Sequence, residues 1–371
     1  MAGSDFIFPV NTLLGCKYSV LKKIERVFTI DRKFRDIFIR SKAISGIMTF
    51  ISTFDEIRYR QLEKKVTIEK PPIFIIGHWR SGTTFIHNLL SCMSDAAYPT
   101  TFHTVFPNNL FAFKGIIKWI MQFFLPKRRP VDGVKMDSSN PQEEEIAFGN
   151  AFFFSYYYWF YFPKEYHEIA ERFLFIEHIT DEEKSQFTKN YLRFIKRTMI
   201  NTGGSRYISK NPPNTARIPI LLTMFPDAKF IYLSRDPYET LVSTFRFCKA
   251  FLKTLQLQEV SNADLWKIVM NTYRSLIERY QKYKTLIPED QLIEIQYTDL
   301  IKNPEHIVNR IFDRFFPEQA SEKEEIIQKI PSYSHHRVNA YHFDTDFLKR
   351  VNDEVGSLIL EQGYSLKPSL P

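Results

Sequence analysis

The sequence predicts an α/β fold of three layers, a central parallel sheet flanked by helices, with a helical N-terminal extension. Three observations predict it. Strand-length runs recur at residues 73–76, 228–234 and 292–296, too short for helices. Segments that open with helix-start signals separate them, an alternation that builds a parallel sheet covered on both faces. A loop bounded by Gly77 and Gly82 joins the first run to the helix after it. With 371 residues, 44% of them apolar, the chain is long enough to bury a full core.

The elements follow in order. Residues 1–68 read as an amphipathic helical extension, with apolar residues at helical spacing from Val20 to Arg40 and from Ile44 to Gln61. Pro71-Pro72 marks the change to the main domain, residues 69–371. Ile73–Ile76 is a continuous apolar run, as a strand buried on both faces requires. Gly77–Gly82 is a loop, and Thr83–Met93 a helix. Asn140-Pro141 is expected to open another helix, with Asn140 as N-cap. Thr180 and Glu183 form a capping box for a helix that runs to about Asn201 and stops at Gly203-Gly204. Tyr207–Ser209, Ala228–Ser234 and Leu292–Gln296 are strands. Pro237 starts one helix, and Pro304–Phe316 is another.

The loop Gly77-His78-Trp79-Arg80-Ser81-Gly82-Thr83-Thr84 carries the chemistry. Its glycines allow a tight turn and a close backbone approach to a ligand. The unpaired N–H groups that open the next helix attract an anion. Ser81, Thr83 and Thr84 add hydroxyls, and Arg80 adds a fixed charge with a forked donor. The glycines have P-loop spacing, so the fold is P-loop-like. Thr83 stands where a nucleoside-triphosphate loop has lysine, which argues against ATP.

The run from Ile75 to Thr84 resembles the 5′-phosphosulfate loop of the PAPS-dependent sulfotransferases, closest to the branch with the tyrosylprotein sulfotransferases and bacterial relatives. The resemblance implies a second signature, for the 3′-phosphate, at Ala228–Pro237 with Ser243; there Arg235 and Ser243 grip the phosphate. Ser209-Lys210-Asn211-Pro212 resembles the family's Lys-Ser-Pro turn. Ile295–Leu300 resembles its Tyr-Glu-Asp-Leu segment, whose tyrosine, here Tyr297, contacts the nucleotide. Asn140–Glu145 resembles a Pro-Gln-Glu-Asp-Glu stretch of bacterial members. The likeness covers residue 70 to the C-terminus, making 69–371 a sulfotransferase domain. The implied nucleotide ligands are Gly77, His78, Trp79, Arg80, Ser81, Gly82, Thr83, Thr84, Arg235, Ser243 and Tyr297. The implied cosubstrate is PAPS, with 3′,5′-ADP as product and no metal.

Arg80 and Lys210 are assigned to stabilise charge on the leaving phosphate. A base must also take the acceptor proton. The glutamate that the tyrosylprotein branch carries after the first helix is missing, and His103 stands in that stretch. Glu143 and Glu144 are the alternatives; His78 and His87 are weaker ones. His335-His336-Arg337 reads as a polar loop, with too few ligands for a metal.

The 35 phenylalanines and 19 tyrosines concentrate at Leu110–Leu125 and Phe152–Phe162. These read either as core or as a lipophilic mouth or membrane face. A pocket of Phe106, Phe152, Phe153, Tyr157 and Trp159 would favour a sterol, steroid or lipid alcohol. The net charge of +8 comes without a long basic run, so no nucleic acid partner is expected. Three scattered cysteines form no disulfide framework or metal-ligand set. With no secretory signal at Met1–Val10 and no run of about 20 uncharged apolar residues, the expected location is cytoplasmic, with peripheral membrane contact in reserve. A P-loop small-molecule kinase and a non-catalytic, membrane-peripheral nucleotide-binding protein are the competing readings.

Overall fold

The computed structural model describes residues 11–124, 137–333 and 341–368. In chain order the elements are α1 Tyr18–Val27, α2 Arg35–Leu62, β1 Ile73–Gly77, α3 Thr83–Leu90, β2 Ala96–Ala97, α4 Thr101–Val105, α5 Lys114–Phe124, α6 Glu145–Ala151, α7 Tyr158–Tyr161, α8 Tyr166–Phe173, α9 Asp181–Thr202, β3 Arg206–Lys210, α10 Ile218–Met224, β4 Lys229–Ser234, α11 Pro237–Leu255, α12 Asn262–Tyr283, β5 Leu292–Gln296, α13 Tyr297–Lys302, α14 Pro304–Phe315, α15 Ala320–Tyr333 and α16 Thr345–Glu361. They divide into two compact units, each discontinuous in sequence.

One unit holds residues 70–96, 206–245 and 266–371. Its sheet has the order β2-β3-β1-β4-β5, and β1 pairs in parallel with both β3 and β4. All five residues of β1 are buried, which is why Ile73–Ile76 reads as an unbroken apolar run. In β5 residues 293 and 295 are buried while 294 and 296 are exposed, as on an edge strand with one solvated face. β3 extends past the expected Tyr207–Ser209 to Arg206 and Lys210, both buried. Polar ends hid this extension in the sequence. Asp95 accounts for one of them: its carboxylate takes Arg206 Nε at 3.1 Å and Lys70 Nζ at 2.7 Å. Because β3 and β4 flank β1, successive strands step off opposite sides of it. A crevice therefore opens at the carboxyl ends of β1 and β4, where open α/β sheets take ligands.

The other unit holds residues 1–69, 97–205 and 246–265. Its longest described helix, α2, lays Phe38, Ser41, Ser45, Ser52, Asp55 and Tyr59 on its buried face. Tyr59 joins Phe102, Val105, Phe106, Leu110, Ile117 and Met121 in one apolar cluster, which ties α2, α4 and α5 together. The capping box at Thr180 and Glu183 forms, and Gly203 ends α9 at φ 78°. Two expectations need correction. Val20–Arg40 is not one helix: α1 stops at Val27, and a short turn at Arg32–Phe34 leads into α2. Asn140-Pro141 does not open a helix either. Pro141 bridges Thr100 in an antiparallel pair, and the Asn140 carbonyl accepts from the Thr101 N–H at 2.9 Å, so α6 begins four residues later at Glu145. The extended bridge satisfies the backbone groups that a helix would have used.

Helix α2 also bears on the membrane. Residues 32–62 are long and apolar enough to cross a bilayer by length and composition. The sequence reading missed this because Arg40 and Lys42 interrupt the run. The buried face of α2 is bonded into its unit: Ser45 Oγ donates to the Cys16 carbonyl at 2.7 Å, and the Asp55 carboxylate accepts the Phe111 and Ala112 N–H groups at 2.8 and 2.7 Å.

Candidate active site

The sheet unit brings the loop after β1 and the residues after β4 to one place. Gly77 has φ 131°, and a Cβ there would lie 2.4 Å from the Leu233 carbonyl oxygen, so only glycine fits. Its N–H donates to Thr215 Oγ1 at 2.8 Å. Gly82 has φ 98°, and a Cβ would meet the Tyr297 ring at 2.8 Å. Between them Arg80 is held at φ 69°. That left-handed backbone costs a side-chain-bearing residue about 1–3 kcal/mol, and such outliers gather at functional sites. Ser81 is buried and its hydroxyl donates to the His78 carbonyl at 2.7 Å, tightening the turn. Thr83 and Thr84 then open α3, whose first N–H groups lack partners within the helix.

Three of the expected phosphate ligands meet directly. Arg80 Nε donates to Ser243 Oγ at 3.0 Å. Arg235 Nη1 donates to the Arg80 carbonyl at 3.1 Å, and its guanidinium lies 4.3 Å from the centre of the Tyr297 ring. Glu239, one helical turn on, takes Arg235 Nη2 at 2.8 Å and Nε at 3.2 Å, fixing its orientation. Lys210 ends β3, opposite Ile75 in the register, and its side chain is 4% exposed. Two arginines, a lysine, a serine hydroxyl and a helix N-terminus thus belong to one unit at the ends of adjacent strands, a donor set for an anion with separated phosphate groups.

Not every loop residue points to that use. His78 is buried, its Nδ1 lies 2.9 Å from the Trp79 carbonyl, and its ring is 5.2 Å from that of Tyr273. Burial holds it at about 4, so it stays neutral. With Tyr232, Thr240 and Tyr273 it lines a small cavity. Trp79 is also buried; its carbonyl lies 3.5 Å from Thr244 Oγ1. Thr215 was missed by sequence reasoning. Its signal was the Pro212-Pro213-Asn214-Thr215 turn directly after Lys210.

The leading candidate bases, His103, Glu143 and Glu144, lie in the other unit. His103 sits in α4, with its backbone N–H on Thr100 Oγ1. Burial, then Lys114 and Lys118, lower it to about 3. Glu143 accepts from the Tyr157 hydroxyl. Glu144 is fully buried and accepts from Tyr191 at 2.6 Å. Glu145, not singled out from the sequence, is equally buried and accepts the Tyr156 N–H at 2.6 Å. All three glutamates precede or begin α6, with Glu144 and Glu145 buried and Glu143 half-buried.

Of the five aromatics expected to form a pocket, Phe106, Tyr157 and Trp159 are buried and Phe152 and Phe153 half-buried, each packed on other rings. Phe106 stacks on Phe102, Phe152 on Phe148, and Phe153 against Phe28, Tyr158 and Phe173. Trp159 lies on Phe160, and Tyr157 meets Phe160 edge-on. His87 is buried in α3, where burial and then Lys210 hold it well below its usual range. His335-His336-Arg337 falls outside the described residues. Among the described residues no group of three or more His, Cys, Asp or Glu could hold a metal ion.

Residues 71–316, spanning every nucleotide-loop residue above, match the sulfotransferase family. This chain belongs to the sulfotransferase family. It is therefore a transferase. The omega-hydroxy-beta-dihydromenaquinone-9 sulfotransferases of Mycobacterium bovis and Mycobacterium tuberculosis are each 26% identical to it over 361 residues, covering 95% of this chain and 90% of each relative. A sulfotransferase crystal structure from Mycobacterium avium has a TM-score of 0.68 at 16% identity, over 95% of this chain and 98% of that one. One from Mycobacterium tuberculosis has 0.56 at 16%, over 85% and 90%. At that identity the two structures bear on the fold.

Proposed function

We propose that this sulfotransferase moves the sulfuryl group of PAPS to a hydroxyl of a lipophilic alcohol. The acceptor oxygen forms a bond to sulfur as the bond from sulfur to the 5′-phosphate oxygen breaks. The products are the sulfate ester, 3′,5′-ADP and the proton released by the hydroxyl. The observation that carries this reading is the joining of Arg80, Ser243 and Arg235 at the ends of β1 and β4. A nucleotide with phosphate at both the 3′ and 5′ positions fits such a set better than a triphosphate does. The N–H groups opening α3, with Arg80 and Lys210, stabilise the charge that grows on the leaving phosphate. Arg235 and Ser243 take the 3′-phosphate, and Tyr297 stacks at the nucleotide.

The lipophilic acceptor is supported by the name of the relatives, which act on a hydroxylated menaquinone derivative. His103 is the proposed base. Burial, with Lys114 and Lys118, lowers it to about 3, which leaves the ring neutral but makes it a weak base, so the role rests on its position in the chain and on the variant below.

The test has two arms. Thermal shift should rise with 3′,5′-ADP and not with ATP and Mg²⁺; stabilisation by ATP alone would return the kinase reading. Radiolabelled PAPS should then label a polyprenyl or sterol alcohol in preference to a phenol or a sugar. In the same assay His103→Ala should abolish transfer while leaving 3′,5′-ADP affinity unchanged. Full activity in that variant would transfer the role to Glu143 or Glu144.

A further inference from the structure

The two helices around the Tyr59 cluster leave a broad apolar face uncovered. On α2 the exposed side chains Ile39, Ile47, Phe50, Phe54 and Ile57 recur at helical spacing along the face opposite Ser45, Ser52 and Tyr59. Phe50 is 69% exposed. On α5, Ile117 and Met121 turn into the cluster, while Ile116, Trp119 and Ile120 turn out, with Trp119 71% exposed. Phe113, just before α5, is exposed at φ 56°. That is a strained backbone for a phenylalanine, and the buried Asp55 carboxylate pins the chain directly before it through the Phe111 and Ala112 N–H groups. A bulky apolar side chain is thus held outward at a backbone cost, which folding alone does not call for.

Cations outnumber exposed carboxylates around this face. Of the three carboxylates of α2, Asp55 is buried and Glu56 is engaged by Lys17, Arg193 and Arg197, which leaves only Asp36, in the first turn, exposed. Arg58 and Arg60 are exposed in the second half of the helix, and the charged residues of α5 are Lys114 and Lys118. Two symmetry-related copies of such a face would set cation against cation, whereas an anionic surface complements it. We infer that the outer face of α2 and α5, with Phe50, Phe54, Phe113 and Trp119 as anchors, lies on an anionic lipid bilayer. An apolar stripe with a Trp/Phe component and cationic flanks is the pattern of a helix lying in the bilayer interface. The bonds from Ser45 and Asp55 into the unit keep α2 lying on the membrane rather than crossing it. The lipophilic-acceptor reading gives this surface a purpose, but the surface stands on one unit alone.

Vesicle sedimentation of the full chain tests it. The protein is expected to sediment with phosphatidylcholine vesicles containing phosphatidylglycerol, less with phosphatidylcholine alone, and less again at high salt. Tryptophan emission should shift to the blue on binding, and Trp119→Phe should remove most of that shift, because Trp79 and Trp159 are already buried and Trp266 is half-buried and stacked on Phe245. Phe50→Ser with Phe54→Ser and Trp119→Ser should weaken vesicle binding by roughly tenfold or more. Their melting temperature and 3′,5′-ADP affinity should match the parent. Parent protein that stays in the supernatant with every vesicle overturns the inference, as does triple-variant binding equal to the parent's. A dimer by light scattering that the triple variant converts to monomer, without vesicle binding, overturns it in favour of a second copy. Loss of the 3′,5′-ADP shift with vesicle binding intact would count against the proposed function alone.

Discussion

In the sheet unit the conspicuous polar groups stand at strand ends; in the other unit they are sunk beneath aromatic rings. Arg80, Arg235 and Ser243 interlock beside β1 and β4, and the loop that carries Arg80 is shaped by two glycines at positive φ. Glu144 and Glu145 are buried on Tyr191 and the Tyr156 N–H, and Glu56 binds Lys17, Arg193 and Arg197. The difference teaches that similar polar residues serve opposite ends. At the strand ends two arginines are kept together by backbone geometry, with Arg80 held at a left-handed φ and Arg235 oriented by Glu239. In the other unit each acid has a donor already, and its contribution is to hold helices in place.

The largest expected effect breaks the first half of this comparison. Arg80→Ala should lower turnover by ~10²–10³-fold, about 3 kcal/mol or more of barrier, with little change in melting temperature. Turnover within about threefold of the parent would remove Arg80 from the mechanism. The mirror experiment is Glu56→Gln. Arg197, whose side chain is 8% exposed, would lose one of its two carboxylate partners and keep Glu63, so urea unfolding should report a loss of about 2 kcal/mol with nucleotide affinity preserved. A loss too small to resolve would mean that this ion cluster is merely surface ornament.

Gly82→Ala sharpens the boundary between the two roles. The added methyl meets the Tyr297 ring at a backbone angle unfavourable to alanine. It should cost about 1–2 kcal/mol of stability and also weaken 3′,5′-ADP binding. Unchanged nucleotide affinity would separate Tyr297 from the nucleotide.

The smallest effect is in acid. Burial lowers His78 to about 4 and His103 to about 3, below the ordinary 6.5. The unfolded chain therefore takes up these protons first. Their share of stability is complete above pH 6.5 and is lost as pH falls toward 4 and 3. Glu56 adds to the loss lower down. Burial raises it, but Arg197, Lys17 and Arg193 outweigh burial and hold it at about 2, so its contribution fades below about 4.5. Melting temperature followed from pH 7 to 4 should fall less steeply for His103→Gln than for the parent. Parallel curves would show that His103 is solvated in the working protein.

What the sequence determined by itself was the sheet and the glycine-bounded turn after its first strand. A strand buried on both faces must be continuously apolar, and a turn with φ beyond the reach of other residues must be glycine; both demands are local and survive in the residue order at Ile73–Ile76, Gly77 and Gly82. Tertiary structure decided the rest. Whether Glu144 is a solvated first-turn acid or a buried one depends on Tyr191, 47 residues away. Whether Trp159 lines a pocket or fills a core depends on Phe160 and Tyr166. Which face of α2 is left bare depends on where α4 and α5 settle against Tyr59. Burial is a property of what arrives from elsewhere in the chain, and no short stretch of sequence records it.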